Sequence, residues 1–94
     1  TVVLAHPVLL PKEDFKEIIN MDFDGIEAKY SSNTDADTKY FIQIAKSRGL
    51  IYTAGSDFHR LKEMNRGHGL IGDVFLDKDE ITNFLSKGVL TQWI

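Results

Sequence analysis

Ninety-four residues, 43% apolar and 27% charged, suit one globular domain of modest core, which on folding buries roughly 60–65% of the surface its unfolded chain exposes. The absence of cysteine excludes a disulfide framework and thiolate metal binding, and it fits a reducing cytoplasm. A net charge of −3 and a pI of about 5.5 argue against a general grip on nucleic acid, and no apolar run approaches the ~20 residues that span a bilayer.

Val2 to Ala5 is a continuous apolar run, the pattern of a strand buried on both faces, and His6-Pro7 closes it. Because Thr1 leads directly into this strand, the chain reads as a piece of something larger, domain boundaries falling in polar linkers and not in core strands. A short amphipathic helix is predicted from Pro11 to about Met21, with proline at its first position, Glu13 and Asp14 in its first turn, and Phe15, Ile18 and Ile19 as its apolar stripe. Asp24-Gly25 then turns the chain into a strand over Ile26–Tyr30, whose alternation sets Ile26, Ala28 and Tyr30 on one face and Glu27 and Lys29 on the other.

Thr34 can cap a helix running to Arg48, with Tyr40, Phe41, Ile44 and Ala45 inward and Gly49 as its left-handed stop. Leu50–Ala54 is the third predicted strand, and it enters Gly55-Ser56-Asp57-Phe58-His59 directly. Residues from Arg60 to Gly72, charged and carrying three glycines, read as a long loop. Val74–Leu76 is a candidate fourth strand, and Asp77-Lys78-Asp79-Glu80 is a capping box for a last helix with Ile81, Phe84 and Leu85 inward and Gly88 at its end. Val89–Ile94 is apolar enough for a final strand. The fold class is therefore α/β: alternating βαβ units in one domain over residues 1–94, around a mainly parallel sheet.

The residues that could carry chemistry stand at strand ends, where α/β proteins keep their sites. Asp57 and His59 are two apart, so in an extended backbone their side chains point the same way, and His6 arrives from another strand. Imidazole with carboxylate suits Zn, Mn or Fe. Glu27 reads as a strand-end carboxylate paired with Lys29 or a helix terminus, not as a ligand. Tyr30 suits either the pocket mouth or the core, Ser56 a turn or a supporting contact, and His68 an exposed loop. Arg60 and Arg66 are candidates for clamping a phosphate.

Ala5-His6-Pro7, Asp24-Gly25-Ile26-Glu27 and Gly55-Ser56-Asp57-Phe58-His59 together resemble the C-terminal portion of the PHP family (polymerase and histidinol phosphatase), metal-dependent phosphoesterases. The resemblance spans Val2 to His59. It implies part of a distorted barrel of seven β/α units with a two- or three-metal centre at the strand ends, in which His6, Asp57 and His59 are metal ligands. It also implies hydrolysis of a phosphate ester by metal-activated water, on a phosphorylated small molecule or an oligonucleotide end. The family's opening His-x-His motif and its intermediate ligands do not occur in these residues, so the implied ligand set is partial and the chain alone is not expected to be active. Arg60 stands where family members often carry a small residue.

A competing reading makes the chain a non-catalytic remnant or interaction module with at most a partial metal site. Attachment to a DNA polymerase is disfavoured, since no basic track is present. Part of a barrel would also leave sheet edges and helix faces uncovered, which predicts self-association.

Overall fold

The computed structural model describes residues 1–59 and 69–89. Among them the elements run β1 (Val3–Leu4), a 3-10 turn (Pro7–Leu9), α1 (Lys12–Ile18), β2 (Gly25–Tyr30), α2 (Asp35–Arg48), β3 (Ile51–Gly55) and α3 (Lys78–Phe84), which passes into a π-helical turn (Leu85–Val89). The strands form one parallel sheet in the order β1-β2-β3, so two successive βαβ units lie side by side.

β2 is the centre of this arrangement. The predicted alternation holds: Ile26 and Ala28 are fully buried and Tyr30 nearly so, while Glu27 and Lys29 are half-buried. Ile26 and Ala28 meet Phe41 and Ala45 of α2 in the core, with Phe15 and Ile19 packed against them. Burying an isoleucine of this kind stabilises by roughly 1.5–3 kcal/mol. Glycine is required at position 25, because a Cβ there would stand 2.6 Å from Ile51 Cγ1 and 2.9 Å from the Ile51 carbonyl. Asp24 ties the entry ends of the sheet: its carboxylate accepts from the Val2 amide at 2.7 Å and its carbonyl from the Ile51 amide at 3.1 Å.

The predicted capping box of Asp77 with Glu80 is present on α3, and the expected Thr34 cap of α2 is completed into a box by Asp37. Gly49 ends α2 at φ 67°. Tyr40 departs from its expected inward place and is 53% exposed, because the buried stripe of α2 is narrow and closes on Phe41 and Ala45. α1 is shorter than expected, and Pro11 is its N-cap and not its first helical residue.

β1 is confined to Val3–Leu4 and half-buried, against the expected doubly buried strand from Val2 to Ala5, because it has a single neighbour in the sheet. Val74–Leu76 does not form the expected fourth strand; Phe75 is 69% exposed and Ile71 79%. Ile81 and Leu85, expected inward, are also exposed. The described end of the chain is a π-helical turn through Gly88 to Val89, and the strand expected over Val89–Ile94 otherwise lies outside the described residues. So do Arg60, Arg66 and His68.

A bulge interrupts the β2–β3 ladder. Glu27 pairs with Thr53 but Lys29 with Ala54, so β2 advances two residues against one and Tyr30 comes level with Gly55. This register brings the last residues of β2 alongside the start of the Gly55–His59 segment.

Candidate metal centre

His6 and Asp57 are the only non-glycine residues with positive φ among those described, at 26° and 58°. L-residues enter this region rarely, and where they do the surroundings must hold them. Each stands just past a strand, His6 two residues beyond β1 and Asp57 two beyond β3. Both residues therefore stand at strand ends, held in local backbone turns that a strand pattern does not encode.

The strand between them supplies the supports. Tyr30 Oη donates to Asp57 Oδ2 at 3.1 Å, and the Tyr30 ring lies 5.5 Å from the His6 imidazole. Burial first, and then the Asp57 carboxylate beside it, pushes the Tyr30 phenol up, so it stays a proton donor to that carboxylate. The two expectations for Tyr30 merge: its body is in the core and its hydroxyl is at the site. Tyr30→Phe should cost about 1 kcal/mol of stability, read as a lower urea midpoint; an unchanged midpoint would show the hydroxyl bond contributes nothing.

Glu27 is not paired with Lys29. Its Oε1 accepts from the His6 backbone amide at 2.8 Å, whereas Lys29 makes a 2.6 Å ion pair with Glu80. Burial raises the Glu27 pKa, opposed by the His6 amide and the His6 ring and reinforced by the Asp57 charge. The carboxylate therefore lies electrostatically between both candidate ligands, a residue of the site that the sequence reading set aside. Its partner is 21 positions away, and nothing local announces it.

His59 does not extend in parallel with Asp57. The left-handed Asp57 turns the chain back, and His59 Nδ1 approaches the Asp57 carbonyl at 2.7 Å and its Oδ1 at 3.5 Å. A carbonyl can only accept, so Nδ1 donates and the ring lone pair falls on Nε2, the arrangement usual for a metal-binding imidazole. The Ser56 backbone carbonyl accepts from Ser31 Oγ at 3.0 Å and from the Gly69 amide at 2.7 Å. Gly69 is buried there, and a Cβ on it would stand 2.5 Å from both Ser31 Oγ and the Ser56 carbonyl.

In kind, two imidazoles and a carboxylate fit a divalent ion. In number they are incomplete: among the described residues no group of three or more His, Asp or Glu stands within common reach of one ion.

A solved structure from Bifidobacterium adolescentis, described as a "putative metal-dependent phosphoesterase", is similar to this chain. The likeness has 29% sequence identity and a TM-score of 0.61, and covers 93% of the chain. The chain spans about a third (32%) of that protein's length. No family model and no curated protein matches the chain. The similarity supports an α/β fold shared with part of that protein. No helix among the described residues is long and apolar enough to cross a membrane.

Proposed function

We propose that the chain is part of a metal-dependent phosphoesterase of the PHP type, contributing His6, Asp57 and His59 to a divalent metal centre at the exit ends of its parallel strands. The observation that carries this reading is the convergence of His6 and Asp57 on Tyr30, one through ring contact and one through a hydrogen bond, from two different strand ends. The phosphoesterase-like neighbour supports the same chemistry.

In this reading β1, β2 and β3 belong to a distorted β/α barrel. The ion is Zn, Mn or Fe, and when bound it supplies an activated water and charge neutralisation for hydrolysis of a phosphate ester. The partial donor set leaves further ligands to come from outside the described residues. Arg60 and Arg66 are proposed to contact the phosphate of a small metabolite or an oligonucleotide end, in the cytoplasm. The exposed Ile71 and Phe75 support self-association of the isolated chain.

The lack of a three-donor group among the described residues favours a second reading, an interaction module with a partial metal site. Elemental analysis of the purified chain beside a His6→Ala/Asp57→Ala variant separates the two. The phosphoesterase reading expects near-stoichiometric Zn, Mn or Fe in the unaltered chain and at least a tenfold loss in the variant. Equal metal in both would leave the interaction module standing.

A further inference from the structure

The Glu27 carboxylate reaches from the central strand to the residue that follows β1 by two and to the last residue of β3. It sits on the central strand, Oε1 accepts from the amide of His6 beyond β1, and Oε2 occupies the space above Gly55 at the end of β3, where an added Cβ would collide with it. We propose that Glu27 is a positioning residue that locks His6 in its left-handed conformation and fixes its distance from the Asp57 end of β3.

Two independent observations support this assignment, the bond at the His6 amide and the crowding above Gly55. A residue at φ 26° and ψ 62° is held in place from outside its own backbone, and the described bond to the His6 amide comes from Glu27. A carboxylate accepting from a backbone amide makes a charge-assisted bond, stronger than an amide–carbonyl pair. Glycine at position 55 is explained by the same carboxylate, since the nearest atoms an added Cβ would meet belong to Glu27. Tyr30, three residues along the same strand, performs the matching task for Asp57. β2 thus sets the spacing of both candidate ligands without itself supplying one.

The inference rests on the metal-centre reading for its purpose but not for its geometry, and the test separates the two. Hydrogen exchange of the His6 amide, followed by NMR, reads the lock; calorimetric titration with Zn2+ reads the centre. Glu27→Ala should speed His6 exchange at least tenfold and weaken Zn2+ binding by about 10-fold or more, the usual effect of losing a support of this kind. Gly55→Ala should do the same with the glutamate still present. The obstructing atom is the movable end of a side chain, so the carboxylate shifts and the fold is retained.

Glu27→Gln retains an acceptor oxygen and should keep exchange slow and Zn2+ affinity within about threefold of the unaltered chain. Unchanged His6 exchange in Glu27→Ala overturns the proposal. Loss of Zn2+ binding in Glu27→Gln with His6 still protected also overturns it, by making the carboxylate itself a ligand. Fast exchange in the two alanine variants with no Zn2+ binding by any chain supports the lock and overturns the metal reading instead.

Discussion

Phe41→Ala should lower the stability of the chain by about 3–5 kcal/mol. A domain of this size is typically stable by 5–15 kcal/mol, so one substitution removes a large share. Phe41 is 5% exposed and closes the core over Ile26, Ala28 and Ala45. Its ring also meets Phe15 of α1 edge-on at 5.8 Å, joining both helices to β2. The neighbouring Tyr40 lies 5.5 Å from the same ring but is half in solvent, so Tyr40→Ala should cost under about 1.5 kcal/mol. Urea unfolding of the two variants gives the comparison. Equal losses would mean that α2 is rotated from the orientation described.

The second large effect concerns Glu80, which draws three donors onto one carboxylate: Lys29 Nζ at 2.6 Å, Tyr52 Oη at 2.5 Å and the Asp77 amide at 2.9 Å. Lys29 and Glu80 are 25% and 12% exposed, enough shielding for removal of the acid to leave a partly desolvated cation. Burial by itself would raise the Glu80 pKa, but Lys29, Tyr52 and the Asp77 amide outweigh it and hold the group down at about 2. Since the folded value lies below the ordinary 4.5, the stabilisation is fully present above pH 4.5 and is lost as pH falls towards 2, to a limit of about 3 kcal/mol.

Glu80→Gln should therefore be less stable than the unaltered chain by about 2–3 kcal/mol at pH 7 and nearly equal to it at pH 2. Urea midpoints at pH 7, 4 and 2.5 read this convergence, and a constant gap across that range would refute it. At the alkaline end the same cluster works in the opposite sense. Burial and then Glu80 push Tyr52 up to about 12, so the folded chain retains a proton that the unfolded chain releases, and stability falls between pH 10 and 12.

What was legible in the sequence was local. Thr34, Asp77 with Glu80, and Gly49 each announce a helix end within four residues, and the alternation of Ile26, Ala28 and Tyr30 needs only a period of two. Two expected ligands, His6 and Asp57, lie at strand ends as anticipated because short apolar runs mark those ends. What was not legible depends on pairings across the fold. Lys29 finds Glu80 at 51 residues' separation and not its near neighbour Glu27, and Tyr30 finds Asp57 at 27. Val74–Leu76 has the composition of a strand, but among the described residues it has no strand beside it, and composition alone supplies no hydrogen-bond partner.

The two left-handed residues also bear on what selection has tolerated in this chain. Glycine would occupy either position with less backbone strain, and for a residue with a Cβ the penalty is roughly 1 kcal/mol each. A chain shaped for durability alone would be expected to shed both side chains. Keeping an imidazole at position 6 and a carboxylate at position 57 therefore retains about 2 kcal/mol of backbone strain, offset at position 57 by about 1 kcal/mol from the Tyr30 hydrogen bond. A stabilising screen run on this protein without a functional filter should drift towards glycine at these two positions, discarding the proposed metal donors while it relieves the backbone.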